Sequence, residues 1–200
     1  MNDKHLELDG VSIGALESVS LCVRPGEVVC LSGVSGSGKT RLLRAIADLD
    51  AHRGRVALGG RGQHEMSGHA WRAQVMMVPA ESQWWFETVG EHFAAISSAG
   101  LAALGFEDGA MDWQISRLSS GEKQRLALLR AVARRPHALL LDEPTANLDD
   151  ATTQRVERWL GQLAAERGWP LVWVAHDAEQ IRRVADRHYR IAGSGLERVE

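Results

Sequence analysis

Leu6-Glu7-Leu8 and Val19-Ser20-Leu21-Cys22-Val23 alternate apolar and polar residues with the period of two expected of half-buried strands. Arg24-Pro25-Gly26-Glu27 reads as a turn. The next run, Val28-Val29-Cys30-Leu31, is apolar without alternation and predicts a strand covered on both faces. A glycine-rich stretch follows. From Lys39-Thr40 the spacing becomes that of a helix, with Leu42, Leu43, Ile46 and Leu49 expected on its inner side. Residues 51–69, rich in Gly, His and Arg, read as hairpin and loop, and Val75-Met76-Met77-Val78 as a strand stopped by Pro79.

The spacing from about Thr88 to Arg117 is helical, with weak strand character. It predicts a small helical subdomain, approximately residues 88–120, inserted into the core of a single domain spanning 1–200. A helix is expected from about Ser120 to Arg134, with Leu126, Leu129, Val132 and Ala133 inward and Pro136 as its stop. Ala138-Leu139-Leu140-Leu141 and Leu171-Val172-Trp173-Val174-Ala175 read as two further buried strands. Between them lies a helix that Asp149 or Asp150 can cap and Gly168 ends, its apolar positions Val156, Trp159, Leu160 and Leu163. A last helix starts near Ala178. Buried strands alternating with helices predict an α/β fold with a largely parallel central sheet, preceded by an antiparallel β part.

Composition narrows this little. The chain has 200 residues, 44% hydrophobic and 24% charged, as an ordinary globular domain does. A net charge of -3 offers no basic patch for nucleic acid, and none is expected as a partner. Two cysteines, Cys22 and Cys30, match no zinc spacing and are expected as small core residues. The start lacks the apolar region of a signal peptide, and no apolar run approaches the ~20 residues that span a bilayer. The chain is expected to be cytoplasmic, with any membrane role passing through a partner.

Gly33-Val34-Ser35-Gly36-Ser37-Gly38-Lys39-Thr40 fits G-x-x-x-x-G-K-[ST] in full, between a buried strand and a helix. Glycines let backbone N–H groups converge on phosphate oxygens, and the helix start behind them adds partial positive charge. Lys39 supplies a full charge near the β- and γ-phosphates of ATP, and the Thr40 hydroxyl can ligate Mg²⁺. A plain glycine-rich turn is the alternative, and the strand-loop-helix context argues against it.

Leu139-Leu140-Leu141-Asp142-Glu143 places two acids at the end of a buried strand, where a carboxylate is costly unless paired or bound to a cation. Asp142 is the expected Mg²⁺ partner, direct or through water, and Glu143 the general base that polarises an attacking water. Without a phosphate loop the pair could equally be a helix-capping acid.

With these motifs in order, the chain resembles the ABC ATPase family over nearly its whole length, a P-loop NTPase fold. Leu118-Ser119-Ser120-Gly121-Glu122-Lys123-Gln124-Arg125 is similar to the family's LSGGQ signature, with Ser120 in the third position and Glu122 in the fifth. Pro144-Thr145-Ala146-Asn147-Leu148-Asp149 resembles the D-loop, and His176 the switch histidine. The resemblance implies head-to-tail dimers in which ATP held by Gly33 to Thr40 of one copy is capped by Ser119 to Glu122 of the other. His176 would contact the γ-phosphate and hold water and Glu143 in place. The implied role is the ATP-hydrolysing subunit of a membrane transporter, peripheral at the inner face of the membrane, working with an integral membrane subunit on a separate chain and a second cassette.

The sequence also departs from the family. Ala80 falls where a metal-touching glutamine is usual, and Glu81 and Gln83 are out of register. No aromatic residue in Val11-Ser12-Ile13-Gly14-Ala15 can stack on adenine. Trp84-Trp85-Phe86 lies where the family receives its membrane subunit and could form a docking surface, or instead fill the helical subdomain's core. Arg182, Arg183, Arg187 and Arg190 are expected to form a solvated face. The compact plan most resembles small bacterial export cassettes, including those proposed for iron export. Two other roles stay open: a soluble scaffold of the iron–sulfur assembly type, and a degenerate regulatory nucleotide binder. The interval between Lys39 and the signature has no space for the long coiled coils of DNA-repair cassettes.

Overall fold

The structure, a computed structural model, describes residues 4–94 and 98–199. Strands β1 (Leu6–Ile13) and β2 (Leu16–Val23) pair antiparallel, and β1 also pairs with β4 (Arg53–Leu58), which carries the short β5 (Arg61–Gly62) on its outer edge. In β2 the alternation buries Leu16, Val19, Leu21 and Val23 and turns Cys22 outward. That corrects the expectation of two core cysteines: only Cys30 is buried, and burial pushes its thiol up to about 12.

The second sheet has six strands: β3 (Val28–Ser32), β6 (Val75–Val78), β7 (Ala138–Asp142), β8 (Leu171–Val174), β9 (Arg187–Ala192) and β10 (Gly195–Val199). Their order is β10-β9-β3-β8-β7-β6, parallel throughout except for the antiparallel edge strand β10. The missing alternation in β3, β7 and β8 now has its cause. Val28, Cys30, Leu139, Leu141, Leu171 and Trp173 enter one core, while Val29, Leu31, Ala138, Leu140, Val172 and Val174 enter another on the opposite face. Each such strand needs an apolar side chain at every position.

One core lies under α1 (Lys39–Ile46), α2 (Gly68–Gln74) and the antiparallel sheet. Helix α2 begins at the end of residues 51–69, the stretch read as hairpin and loop. It is started by Ser67, whose hydroxyl accepts from the Ala70 N–H, and Trp71 fixes it by donating from its indole to the Ile46 carbonyl at 2.8 Å. Leu49, expected on the inner face of α1, is 44% exposed. The helix ends at Ile46 and Asp48 takes a positive φ of 57°, which breaks the helical spacing before Leu49.

The other core lies under α4 (Ser120–Ala133) and α5 (Asp150–Arg167), with α6 (Ala178–Val184) at its rim. Asp149 caps α5 and Gly168 ends it in a left-handed conformation. Within residues 88–120 the chain forms three short 3-10 turns (Gly90–His92, Asp108–Asp112, Ile115–Arg117) and helix α3 (Ser98–Ala103). Residues 95–97 of that stretch lie outside the described residues. Leu101, Leu104 and Phe106 carry its apolar face onto α4 and the main core.

The arginine series is not one solvated face. Arg183 forks onto Glu157 at 2.9 and 2.8 Å, and Arg187 donates to Glu27 at 2.9 Å with both side chains largely buried. Arg182, Arg183 and Arg190 are exposed, as expected, and Arg187 is the one that turns inward from its strand. Two helix positions, Arg182 and Arg183, and two strand positions, Arg187 and Arg190, share the series. No described helix is long and apolar enough to cross a membrane.

Candidate functional site

Strands β3, β8 and β7 lie side by side and end level. Leu31 is abreast of Val174, and Val174 of Asp142. The loops leaving their carboxyl ends therefore open at one place, the usual ligand crevice of an open parallel sheet.

From β3 the chain enters Gly33 to Gly38. Gly33, Gly36 and Gly38 have φ of 144°, 77° and 104°, values that other residues rarely adopt. Gly36 is exposed, and a side chain there would meet nothing within 4 Å, so its positive φ rather than crowding favours glycine. Lys39 is only 6% exposed, yet its ammonium has carbonyl partners: Gly33 O at 2.9 Å and Val34 O at 3.0 Å. The buried Ser37 hydroxyl has no partner. A buried cation, an orphaned hydroxyl and a helix start are what a phosphate group would complete. Val34 and Ser35 are exposed at the loop's tip.

The exposed Thr40 hydroxyl donates to Asp142 Oδ2 at 2.8 Å, joining the first turn of α1 to the end of β7. Asp142 is 4% exposed. Burial, and secondarily the neighbouring Glu143, raise its carboxyl above the ordinary value, while Thr40, Lys39 and His176 partly offset this. A hard cation would relieve that strain, and two hard oxygen donors fit Mg²⁺. Among the described residues no group of three or more His, Cys, Asp or Glu could hold a metal alone. Phosphate and water would have to supply the other positions, as is usual for that ion.

Glu143 leaves β7 with a φ of 48°, a left-handed conformation that costs a non-glycine residue about 1 kcal/mol or more. Its N–H donates to Val174 O at 3.2 Å. The bend turns the Glu143 side chain away from Asp142 toward the loop after β8. There His176 Nε2 donates to Glu143 Oε1 at 2.9 Å. Both side chains are accessible, 37% for Glu143 and 48% for His176. Behind them, Gln180 Nε2 donates to Thr145 Oγ1 at 2.8 Å, a buried contact that the sequence did not announce.

The structure thus brings Lys39, Thr40, Asp142, Glu143 and His176 together. Ser119 to Glu122 form a separate group at the start of α4. The Ser119 hydroxyl donates to Glu122 Oε2 at 2.8 Å and accepts from the Glu122 N–H at 3.2 Å. Glu122 Oε2 also accepts from the Ser119 N–H at 2.8 Å. This reciprocal cap holds the Glu122 carboxyl below its usual range, chiefly through the Ser119 backbone bond. Ser119 and Ser120 are exposed, while Gly121 packs against the D-loop so closely that a Cβ would lie 2.9 Å from Asn147 O.

Ala80 is half-buried after β6 and brings no polar side chain to the site. Trp84 packs against the core, whereas Trp85 is 61% and Phe86 48% exposed. All three rings surround the buried His92, with centroids 4.9 to 5.1 Å away. His92 Nε2 accepts from the Trp85 and Phe86 N–H groups at 3.0 and 3.1 Å. One ring of the triplet therefore packs inward and two are displayed.

Residues 16–146 match the family model described as "ABC transporter". The sulfate/thiosulfate import ATP-binding protein CysA of Xylella fastidiosa is 36% identical over 202 residues, covering 92% of this chain. The chain spans 58% of that relative's length. The aliphatic sulfonates import ATP-binding protein SsuB 1 of Nocardia farcinica is 38% identical over 176 residues, covering 86% of this chain and 69% of the relative. Among solved structures, the ATP-binding cassette MJ0796, dimeric and in a post-hydrolysis state with ADP and Pi, superposes with a TM-score of 0.84. It is 26% identical, over 98% of this chain and 97% of that one.

Proposed function

The chain belongs to the ABC transporter family, and from that premise we propose that it is an ATP-hydrolysing cassette, the cytoplasmic motor of a membrane transporter. The observation that carries this reading is the level ending of β3, β8 and β7, which gathers Lys39, Thr40, Asp142, Glu143 and His176 at one crevice.

In this reading the N–H groups of Gly33 to Thr40 bind the phosphates of ATP, and Lys39 leaves its carbonyl partners for phosphate oxygens. Thr40 and Asp142 hold Mg²⁺, which when bound neutralises charge developing on the phosphates. Glu143 accepts a proton from water as the water oxygen bonds to the γ-phosphorus. The bond to the β,γ-bridging oxygen breaks, and ADP and phosphate leave. His176 keeps the Glu143 carboxylate and the water in register.

Ser119 to Glu122 serve a second copy of the chain. Their exposed helix start offers backbone N–H groups and a helix dipole to a triphosphate, yet it forms its own group, apart from the phosphate loop of its chain. A head-to-tail dimer supplies each nucleotide with both halves, and the dimeric state of the MJ0796 structure supports that arrangement. Trp85 and Phe86 offer two neighbouring exposed rings for an integral membrane subunit on a separate chain.

Mg²⁺-dependent release of phosphate from ATP by the purified chain tests the catalytic claim. Co-purification with a membrane subunit encoded nearby tests the transport claim. Turnover equal to wild type in both Lys39→Ala and Glu143→Gln would overturn the assignment of the site.

A further inference from the structure

A buried amide ties together, from behind, the two loops that carry Glu143 and His176. Gln180, in α6, is 7% exposed, and a polar group so deep must find partners. Its Nε2 has two hydrogens and two acceptors: Thr145 Oγ1 at 2.8 Å and Glu157 Oε1 at 2.9 Å. Glu157, on α5 and 8% exposed, is itself held by the two-pronged contact from Arg183. Thr145 is 8% exposed. The D-loop, α5 and α6 therefore meet at one side chain.

Thr145 lies two residues beyond Glu143, and their turn is closed by the Ala146 N–H donating to Glu143 O at 3.2 Å. Gln180 lies four residues beyond His176, and Asp177 ties the start of α6 by accepting from the Glu179 and Gln180 N–H groups at 3.1 and 3.0 Å. The contacts form a closed ring. Glu143 and His176 meet on its open side at 2.9 Å, Thr145 and Gln180 on its buried side at 2.8 Å.

We propose that Gln180, acting through Thr145, is a positioning residue that keeps Glu143 and His176 in hydrogen-bond register. The proposal rests on the ATP-hydrolysis reading above. Both loops leave the ends of neighbouring strands, and Glu143 starts its loop in a left-handed conformation that the surroundings must maintain. The chemistry asks for a neutral double donor. A carboxylate at 180 would face Glu157 oxygen to oxygen. An apolar side chain would leave the Thr145 hydroxyl and one bond of Glu157 unmet.

Thr145→Val keeps the volume and removes the hydroxyl, Thr145→Ser restores it, and Gln180→Leu removes both donations. In the wild-type chain and these variants, kcat and KM for ATP are measured with Mg²⁺. The imidazole nitrogen shifts of His176 and His52 are recorded by NMR without nucleotide. In Thr145→Val and Gln180→Leu, kcat should fall about tenfold or more while KM stays within about twofold, as loss of register predicts. The His176 shifts should move and those of His52 stay, and Thr145→Ser should recover kcat. Wild-type kcat or unmoved His176 shifts in Thr145→Val would overturn the proposal, as would an equal loss in Thr145→Ser. Should Gln180→Leu fail to fold, the Val and Ser pair at 145 decides. A wild-type chain without turnover removes the ATP-hydrolysis reading and this proposal with it. Active wild type with an indifferent Thr145→Val removes the proposal alone.

Discussion

His176 Nε2 stands 2.9 Å from Glu143 Oε1, although 33 residues separate the two in the chain. They follow neighbouring parallel strands, and the level ends of β7 and β8 bring them together. The contact orients a carboxylate that is otherwise free to rotate in an open crevice. Glu143→Gln keeps the size and a carbonyl oxygen for His176 but loses the basicity. Its kcat should fall by roughly a hundredfold or more. It should accumulate as an ATP-bound dimer, read by size exclusion with and without nucleotide.

Lys39→Ala removes the one full positive charge inside the phosphate loop. ATP turnover should fall to background, about a hundredfold or more, as for loss of a preorganised charge stabiliser. Circular dichroism should be unchanged, since Lys39 donates only to two loop carbonyls. Phosphate release and the dichroism spectrum check both halves.

Ser119→Ala breaks the reciprocal cap at the start of α4. Stability should fall by about 1 kcal/mol, measured by denaturant unfolding. The proposed head-to-tail dimer predicts that turnover falls as well. Turnover equal to wild type at a temperature where the variant is fully folded would remove Ser119 from the site.

Glu27 and Arg187 form an ion pair that ties the turn after β2 to β9. Burial by itself raises the Glu27 carboxyl, but its bond to Arg187 and the Arg24 N–H outweigh this and hold it below the ordinary carboxylate value. A depressed carboxyl contributes stability that is present above the unfolded value, about 4.3, and is lost as pH falls through the lower folded one. Unfolding measured between neutral pH and about pH 3 should show this loss in wild type, and Glu27→Gln should flatten it. At neutral pH that variant should be less stable by about 3 kcal/mol, because Arg187 is left without its partner.

Trp85→Ala and Phe86→Ala remove exposed rings that also pack on His92, so unfolding stability should fall by about 1 kcal/mol. Co-purification of the membrane subunit should be lost in the double variant. Retention of the subunit at wild-type yield would place docking elsewhere.

The phosphate loop, the acid pair at the end of β7 and the alternation of buried strands with helices were legible in the sequence, because each is local. A glycine pattern between a strand and a helix, or an unbroken apolar run, states its physical requirement within about ten residues. β9 was not legible: Arg187-His188-Tyr189-Arg190 reads as polar surface and forms a strand only because β3 and β10 offer it two partners. Arg187 misled for the same reason, since its partner Glu27 lies 160 residues away in the chain.

The sequence by itself determined a set of glycine, lysine, hydroxyl and carboxylate residues at the fixed local spacings that phosphate chemistry demands. Tertiary structure decided how Glu143 meets His176, that Gln180 stands behind that pair, that Arg187 turns inward, and which rings of Trp84-Trp85-Phe86 are displayed. Those relations depend on strand order and on where strands end, quantities that non-local pairing sets and no local pattern of residues contains.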